Sequence, residues 1–571
     1  MRGLFRALGL IGVIALIFSA AGVRAQQAAG DWLGTLDASG AQLRLAVHIK
    51  QGADGSLTGT LDSLDQGVTD LALAAVVESG GGLTFEVPRV HGRYSGRWDA
   101  AKGQWGGTWS QGSPQPLRLA RGVAPPAPVI AGLDGDWDGA LSLQGIALRL
   151  ALHVKTGATG TVATLDSIDQ ATMAIPVAAL GRDGDKVRLE VKPVAAVFEG
   201  VLSANGGSIV GAWRQGGSGL PLTLNRRAPG SPEAKLNRPQ TPLPPFPYRV
   251  EVVAFDSPSA GVKLAGTLTI PQGRGPFPAV VLISGSGPNT RNETVFGHQI
   301  FLVLADHLTR SGLAVLRYDK RGIGASGGDY IHATTGDFAA DAEAAAAYAR
   351  SRPEIDPTRV GLVGHSEGGL IAPMVAASDP RIAFTVLLAA PGLDGERVLD
   401  LQSALIAKAM GQSDAKVAAA GALYQRLYAA VEVAKDAPDA TARARAVLAA
   451  QAAAGAPPTP AQQVEAMEFA TDWFRFFLTY DPSPVLRQVR CPVLALWGSK
   501  DLQVPPEEDL PPLRIALAGD RDVTLEVLPG INHLFQTATT GSPAEYATIE
   551  ETMSPTAMER ISAWIVKHVG P

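Results

Sequence analysis

The residues best suited to chemistry in this sequence form the segment Gly364-His-Ser-Glu-Gly368, in which a serine lies between two glycines. An apolar, β-branched run, Val360 to Val363, precedes the segment, and an apolar, helix-compatible run, Leu370 to Ala377, follows it. A strand, a tight turn and a helix in that order expose a serine hydroxyl at the end of a sheet, where it can act as a nucleophile. Side chains larger than hydrogen at the two glycine positions would collide with the neighbouring strand and helix. The alternative is a chance match in a chain with 64 glycines, but both flanking elements favour a nucleophile.

A serine nucleophile needs a base to take its proton and an acid to orient that base. Beyond the segment itself, only His533 and His568 follow Ser366. His533 lies in a loop just after a predicted strand, whereas His568 ends the last predicted helix, so we predict His533 as the base. Asp501 directly follows a predicted strand between the serine and the histidine, and we predict it as the acid. The competing carboxylates, for which we expect solvated surface positions, are Asp509, Asp520 and Asp522.

Attack by a serine on a carbonyl also requires donors for the oxyanion that develops. The backbone N–H of Glu367, directly after the nucleophile, is the first predicted donor. The second is expected from the loop Ser284-Gly-Ser-Gly-Pro288, which follows a buried strand. The register of this loop favours the N–H of Ser286, with Gly285 and Gly287 as alternatives. Two such donors each lower the barrier by a few kcal/mol.

From Tyr248 onward, continuous apolar strands alternate with helices, which indicates a parallel sheet covered on both faces. The first two predicted strands of this half, residues 249–255 and 264–270, are expected to pair in antiparallel orientation. The further predicted strands are 279–283, 314–318, 360–363, 384–388, 493–497 and 523–527, and the predicted helices are 301–310, 337–350 and 557–567. The chain order serine, aspartate, histidine is that of α/β-hydrolases. The predicted fold class for residues 248–571 is therefore α/β, an α/β-hydrolase fold.

The alternation is interrupted between about residues 393 and 484, where helical spacing predominates. We predict that this stretch is a helical cap inserted over the carboxyl edge of the sheet. It ends in the aromatic cluster Trp473-Phe-Arg-Phe-Phe477, which is equally compatible with a pocket wall and with the core of the cap.

The other half of the chain contains an internal repeat. Asp31-Trp32 matches Asp136-Trp137 at an offset of 105 residues, and Trp109-Ser-Gln-Gly112 matches Trp213-Arg-Gln-Gly216 at an offset of 104. Each copy alternates apolar and polar residues between glycine-rich turns, which predicts a small antiparallel barrel or sandwich. The predicted all-β modules are residues 26–121 and 130–227, and the proline-rich stretch 228–247 is the predicted linker to the rest of the chain.

Each copy carries one histidine and one tryptophan that invite a functional interpretation. His48 and His153 have no second ligand at metal spacing, so we expect packed or surface histidines. Trp109 and Trp213 are compatible with a ligand cavity, but closing the end of the core is the role we expect.

The first 25 residues are typical of a secretory signal. Arg2 and Arg6 form the positive end, residues 7–21 the apolar core, and Val23-Arg-Ala25 a cleavage site. The alternative is an uncleaved anchor, although the apolar run is short for a full span. We therefore predict a periplasmic or cell-envelope protein with no membrane span after cleavage.

Composition excludes several other classes of protein. The single cysteine, Cys491, leaves no disulfide framework and no cysteine zinc site within one chain, and no other metal motif is present. The net charge of −5 does not indicate the excess of lysine and arginine that is typical of nucleic-acid-binding proteins.

Residues 248–571 resemble the bacterial α/β-hydrolase esterases of the EstD type, which are grouped with serine aminopeptidase-like hydrolases. The motifs that carry the resemblance are Ile283-Ser-Gly-Ser-Gly-Pro288, Arg317-Tyr-Asp-Lys-Arg-Gly322, Gly364-His-Ser-Glu-Gly-Gly369, Trp497-Gly-Ser-Lys-Asp501 and Asn532-His-Leu-Phe535. The resemblance implies hydrolysis of a small-molecule carboxylic ester without a cofactor or metal, with Ser366, Asp501 and His533 as the triad. A serine peptidase on the same scaffold is the first rival hypothesis. The second is a glycan- or lipid-binding envelope protein with an incidental hydrolase, because the resemblance does not reach the β modules.

Overall fold

The computed structural model describes residues 28–570, except for residues 39–40, 66–67, 91, 112, 124–127, 144–145, 158–159, 171, 195, 216–217, 233–234, 259–260 and 459. The predicted signal peptide, residues 1–25, lies outside the described residues. Among the described helices, none combines the length and the hydropathy that crossing a bilayer requires.

The first sheet consists of antiparallel strands from one contiguous part of the chain. These strands are β1 (Gly30–Ala38), β2 (Ala41–Gln51), β3 (Leu57–Ser63), β4 (Val68–Ala72), β5 (Ala74–Ser79), β6 (Gly82–Val87), β7 (Gly92–Asp99), β8 (Gln104–Gln111) and β9 (Ser113–Arg121). Their order in the nine-stranded sheet is β4-β3-β2-β1-β9-β8-β7-β6-β5. Since β3 and β5 contact each other although they lie near opposite ends of this order, the sheet curls toward a barrel.

A second antiparallel sheet follows. Its strands are β10 (Gly135–Leu143), β11 (Ile146–Gly157), β12 (Gly160–Ser167), β13 (Thr172–Pro176), β14 (Ala179–Asp183), β15 (Lys186–Val191), β16 (Ala196–Leu202), β17 (Ser208–Gln215) and β18 (Ser218–Arg226). Their order, β13-β12-β11-β10-β18-β17-β16-β15-β14, is the order of the first sheet with every number raised by nine.

Alternating side chains give each of these sheets one apolar face, and that face forms its core. Trp109 and Trp213 are each 3% exposed and pack into the cores of the first and second sheets, respectively. The indole N–H of each tryptophan donates to the glutamine two residues further on, Gln111 or Gln215. Both tryptophans are therefore part of the core packing, as the sequence leads us to expect.

The third sheet is formed by strands of residues 248–571, the half of the chain that is predicted to be catalytic. The strands of this half are β19 (Tyr248–Ser257), β20 (Val262–Pro271), β21 (Phe277–Ile283), β22 (Thr294–Val295), β23 (His298–Gln299), β24 (Ala314–Tyr318), β25 (Ile355–His365), β26 (Thr385–Leu388), β27 (Val493–Gly498) and β28 (Val523–Leu528). Eight of them form a sheet in the order β19-β20-β24-β21-β25-β26-β27-β28, and β22 pairs separately with β23. From β24 to β28 all neighbours are parallel, while β19 and β20 are antiparallel additions. The predicted α/β fold is confirmed.

Helices cover both faces of this sheet and one of its edges. They are α1 (Ile300–Arg310), α2 (Thr335–Ser351), α3 (Glu367–Ser378), α4 (Gly395–Ala409), α5 (Asp414–Glu432), α6 (Ala437–Ala453), α7 (Pro460–Glu468), α8 (Asp472–Thr479), α9 (Ser483–Leu486), α10 (Pro506–Ala516) and α11 (Pro555–Val569). Apolar residues of α1 and α11 pack on one face, and those of α2, α3 and α10 pack on the other. Helices α4 to α8 lie between β26 and β27 in the chain and share a core of their own. We refer to α4–α8 as the cap.

Part of the predicted linker is bound to the catalytic half. The Arg238 guanidinium donates to the backbone carbonyls of Phe296, Ala547 and Ile549. The side-chain amide of Gln240 donates to the carbonyl of Met553 and accepts from its N–H. A fragment that begins at residue 248 would leave these backbone groups without their partners.

Each β module places a histidine between two aspartates on neighbouring strands. His48 Nδ1 lies 2.6 Å from Asp31 Oδ1, and His48 Nε2 lies 3.3 Å from Asp62 Oδ2. Burial alone would lower the pKa of His48, but the hydrogen bonds and charges of the two carboxylates outweigh burial and raise it. In the second module His153, between Asp136 and Asp166, has a raised pKa for the same reasons.

These two clusters predict a dependence of stability on pH. A histidine whose pKa is raised by folding stabilises the folded state below its unfolded pKa, about 6.5, and loses that contribution as the pH rises through the folded pKa. We expect the melting temperature of the β modules to fall by about 2–5 °C as the pH increases above 6.5, since partly exposed pairs contribute little. Thermal unfolding monitored by circular dichroism measures this slope. The double variant His48→Gln/His153→Gln should show a flatter slope, and equal slopes in the two proteins would contradict the prediction.

Candidate active site

The predicted nucleophile lies at a strained turn between β25 and α3. Ser366 has φ of 54° and ψ of −116°, a conformation that non-glycine residues rarely adopt and that costs on the order of 1–3 kcal/mol. Its N–H donates to the carbonyl of Leu388, at the end of the neighbouring strand β26, over 2.8 Å. The turn is thus held by the sheet itself, and Ser366 is partly exposed.

Close backbone approaches explain the glycines around Ser366. A Cβ atom on Gly364 would stand less than 3.0 Å from the carbonyl oxygen of Gly368, and one on Gly368 would meet the carbonyl oxygen of Ile283 equally closely. A Cβ on Gly369 would overlap Ala390. Since backbone atoms cannot move aside, the turn can form only with glycine at these positions.

Asp501 and His533 are brought together by the parallel strands that precede them. Asp501 follows β27 and His533 follows β28, and these neighbouring strands end at the same edge of the sheet as β25. The Nδ1 atom of His533 lies 2.8 Å from Asp501 Oδ2, and the two side chains are 5% and 0% exposed. The other carboxylate oxygen of Asp501 accepts from the N–H groups of Gln503 and Val504. Asp501 is therefore a fixed, fully hydrogen-bonded acceptor for the imidazole.

The histidine that precedes the serine connects the turn to the loop of His533. The imidazole rings of His365 and His533 have centroids 5.0 Å apart, and His365 Nε2 lies 3.0 Å from the backbone carbonyl oxygen of His533. Between the hydroxyl of Ser366 and the imidazole of His533 the described residues show no hydrogen bond. In unliganded enzymes such bonds are often long and tighten only when substrate is bound.

The competing residues lie elsewhere in the fold. His568 stacks on Trp564 with ring centroids 3.9 Å apart, and its Nε2 lies 3.3 Å from Asp522 Oδ2. Asp522 is exposed, as expected, and Asp520 is intermediate in exposure. None of these groups contacts Ser366.

For Asp509 the expected surface position is wrong. Its side chain is 0% exposed, and Oδ1 accepts from the N–H groups of Gly392 and Leu393. Burial raises the pKa of this carboxyl to about 7. The reason is that α10 begins at Pro506 and carries Asp509 inward, while Glu507 and Glu508 remain exposed.

The structure narrows the choice of oxyanion donors. The N–H of Gly285 donates to Glu293 Oε1 over 2.6 Å, so this amide is occupied. A Cβ on Gly285 would lie 3.2 Å from the Cβ of Ser366, which places the loop directly against the nucleophile. Within the described residues, the N–H groups of Ser286, Gly287 and Glu367 have no protein acceptor, and all three remain candidates.

Two buried ionic pairs next to Ser366 were not predicted from the sequence. In the first, Glu293 Oε1 lies 3.0 Å from His365 Nδ1, and both side chains are almost fully buried. Burial would lower the pKa of His365, but the charge and hydrogen bond of Glu293 outweigh burial and raise it. We refer to residues 284–288 as the oxyanion loop. The Oε1 atom of Glu293 thus holds both this loop, at Gly285, and His365, the residue before the nucleophile.

The second pair joins Lys320 Nζ to Glu367 Oε2 over 2.8 Å, with side chains 5% and 0% exposed. The other oxygen of Glu367 accepts from Thr335 Oγ1 and from the indole N–H of Trp473, at 2.7 and 2.6 Å. Since Trp473 belongs to α8, Glu367 connects the nucleophile turn to the cap. Lys320 and Glu367 belong to two of the motifs shared with EstD-type hydrolases, residues 317–322 and 364–369. Nothing in the sequence indicates that these two side chains form an ion pair.

A cavity of about 520 Å³ lies between the oxyanion loop and the cap. Residues 286–288 of the loop form one wall, and Glu465 and Glu468 contribute carboxylates from the cap. The aromatic residues that line it are Tyr330, Tyr424, Tyr428, Phe469, Trp473 and Phe474. Part of the aromatic cluster at 473–477 is thus a pocket wall, while Phe477 is buried in the core. The volume and the apolar lining are typical of a small-molecule site.

Comparison with known proteins supports the resemblance in the catalytic half. Residues 298–537 match the family described as "Serine aminopeptidase, S33". The esterase EstD of Thermotoga maritima is 27% identical over 324 residues, which cover 56% of this chain and 70% of EstD. The predicted resemblance to EstD-type α/β-hydrolases is confirmed.

Two solved structures align with little more than half of the chain. The α/β-hydrolase GrgF of Penicillium sp. sh18 is 18% identical with a TM-score of 0.36, covering 57% of this chain and 100% of GrgF. An esterase of Pyrococcus furiosus is 16% identical with a TM-score of 0.36, covering 59% of this chain and 100% of that esterase.

The close approaches around the nucleophile predict the effect of adding one methyl group. Gly368→Ala should lower the free energy of unfolding by about 3 kcal/mol or more, because the new Cβ collides with the Ile283 carbonyl. Chemical denaturation measures this change. The control is Gly421→Ala in α5, where a Cβ meets nothing within 4 Å and should stabilise the helix by about 1 kcal/mol. Equal stability of Gly368→Ala and wild type would show that the turn tolerates a side chain.

Proposed function

We propose that this chain, whose C-terminal half is an α/β-hydrolase, is a serine hydrolase of small-molecule carboxylic esters. In this proposal Ser366 is the nucleophile, His533 the base and Asp501 the acid. The observation that carries it is the buried 2.8 Å contact between Asp501 and His533, at the sheet edge where Ser366 is held in a strained turn. The name of the Thermotoga maritima relative, an esterase, is consistent with it.

The contact with Asp501 determines which imidazole nitrogen acts on the serine. A carboxylate only accepts, so His533 Nδ1 carries a hydrogen and donates it to Asp501 Oδ2. In the neutral imidazole the Nε2 atom then carries no hydrogen and can take the proton of the Ser366 hydroxyl. As the proton leaves, the oxygen attacks the ester carbonyl and forms a tetrahedral intermediate. The imidazolium returns the proton to the leaving alcohol, and an acyl-enzyme remains.

Water completes the reaction by the same route. His533 takes a proton from the water as it attacks the acyl carbonyl. The imidazolium then returns this proton to the Ser366 oxygen as the second tetrahedral intermediate breaks down to the carboxylic acid and free enzyme. In both intermediates the carbonyl oxygen carries a negative charge. We assign the N–H groups of Glu367 and Ser286 as its donors, because Gly285 already donates to Glu293.

The cavity next to the oxyanion loop favours an uncharged apolar or aromatic substituent on the ester. Aromatic side chains dominate its lining, and no lysine, arginine or histidine of the described residues is part of it. Glu465 and Glu468 add negative charge, and burial together with the charge of Glu465 raises the pKa of Glu468. An anionic substituent would be repelled there.

Replacing the proposed nucleophile tests this function. Ser366→Ala should lower kcat on p-nitrophenyl esters by roughly 10⁴–10⁶-fold without unfolding the protein, since only the attacking oxygen is lost. Initial-rate kinetics with circular dichroism as a folding check gives the result. The matched control is Ser351→Ala, an exposed serine on α2, which should keep wild-type rates. Normal turnover by Ser366→Ala would refute the assignment.

The cavity predicts how activity varies with the acyl group. Trp473→Ala removes one aromatic wall of the cavity and the indole donor to Glu367, so kcat/KM for the benzoyl ester should fall about 10–100-fold. Rates for acetyl esters should fall less, because a small acetyl group buries little apolar surface against an aromatic wall. A panel of p-nitrophenyl esters with acetyl, butyryl and benzoyl groups makes the comparison. A uniform loss across the panel would contradict a role of the cavity in selecting substrate.

A further inference from the structure

We propose that Lys320 is a positioning residue of the oxyanion hole, acting on both donor amides through one buried ammonium group. This inference rests on the proposed function, because it concerns the donors assigned there. Lys320 has no contact with Ser366 or His533 in the described residues, so its effect passes through the residues that it holds.

The ammonium of Lys320 is enclosed by protein groups. Its side chain is 5% exposed. The Nζ atom donates to the backbone carbonyl oxygen of Gly285 over 2.7 Å and to Glu367 Oε2 over 2.8 Å, and lies 4.4 Å from the ring centroid of Phe338. Its directional bonds therefore go to the two segments that supply the proposed donors.

The bond to Gly285 determines the orientation of the first donor. The C=O of Gly285 and the N–H of Ser286 belong to one trans peptide unit, in which they point in opposite directions. Asn289 Nδ2 donates to the same carbonyl over 2.9 Å, so two donors fix this oxygen. With the carbonyl fixed, the N–H of Ser286 is fixed on the opposite side of the peptide plane. A charged donor on the carbonyl also polarises the N–H and makes it a stronger donor.

The bond to Glu367 determines the position of the second donor. Glu367 follows the nucleophile, and its own N–H is the other proposed donor. Its carboxylate is held by Lys320, Thr335 and Trp473, so the residue cannot rotate away from the turn. The segment of Lys320 is tied in turn to the oxyanion loop, because its N–H donates to the carbonyl of Asn289. One cation thus fixes the separation between the two amides.

The placement of positive charge has a second consequence. An oxyanion that develops between the two amides is close to groups polarised by the ammonium of Lys320, whose side chain is only 5% exposed. Preorganised charge of this kind stabilises the transition state without reorganisation during the reaction. The ground-state ester carries no such charge, so loss of Lys320 should affect kcat far more than KM.

The test is Lys320→Met, which keeps the length of the side chain and removes the ammonium. We expect kcat on a p-nitrophenyl ester to fall about 10–100-fold while KM changes less than threefold. The readout that separates positioning from packing is inhibition by phenylboronic acid, whose tetrahedral adduct with a serine places a negatively charged oxygen in the oxyanion hole. Its inhibition constant should rise by the same factor as kcat falls.

Asn289→Ala is the second variant, since it removes one donor to the Gly285 carbonyl and leaves the buried ion pair intact. We expect a loss in kcat of about 3–10-fold with a parallel loss of boronic acid affinity. Because this variant keeps the ion pair, it decides the question if Lys320→Met does not fold. Lys263→Met, at a lysine that is 70% exposed, is the matched control and should behave as wild type.

A loss confined to KM, or unchanged boronic acid affinity in a folded variant with reduced kcat, would overturn the inference. Unchanged kcat in folded Lys320→Met would overturn it as well. Ser366→Ala distinguishes these outcomes from failure of the proposed function. If Ser366→Ala is inactive and folded Lys320→Met keeps the wild-type kcat, the inference about Lys320 alone is wrong.

Discussion

The hydrogen bond between Asp501 and His533 is the interaction on which the candidate site depends. It joins two loops that are separated in the chain and adjacent only because β27 and β28 are parallel neighbours. The parallel arrangement itself follows from strands that are apolar on both faces and are covered by α1 and α11 on one side and by α2, α3 and α10 on the other. The chemistry of the site is therefore a consequence of how the sheet is buried.

Around this pair, buried charges connect segments that a bare α/β sheet would leave independent. Glu293 and His365 tie the oxyanion loop to the nucleophile turn and to the carbonyl of His533. Lys320 and Glu367 tie the same loop to the turn and to the cap. Buried ionic groups contribute little net stability but fix geometry when all their bonds are satisfied. In this site they restrict the relative positions of nucleophile, base and donors.

The sequence predicted the strands of the catalytic sheet well, because continuous apolar runs such as 279–283 and 314–318 have no alternative to burial. It also indicated the resemblance to α/β-hydrolases, since glycines with steric roles are visible in a motif. It did not predict α10, because Pro511 and Pro512 inside the helix are read as breakers. It placed Asp509 at the surface because the run Glu507-Glu-Asp509 is typical of an exposed charged segment. The pairs Lys320–Glu367 and Glu293–His365 were missed because they depend on contacts between loops, which no local pattern encodes.

In the proposed mechanism His533 makes Ser366 reactive, and Asp501 orients His533. The most direct measurement is the rate and site of covalent labelling by a fluorophosphonate, determined by mass spectrometry of the full-length protein after proteolysis. We expect one label per chain, on the peptide that contains Ser366, and a labelling rate that falls by about 10³-fold or more in folded Asp501→Asn and His533→Ala variants. Labelling of Ser366 at the wild-type rate in those variants, or labelling at a different serine, would contradict this mechanism.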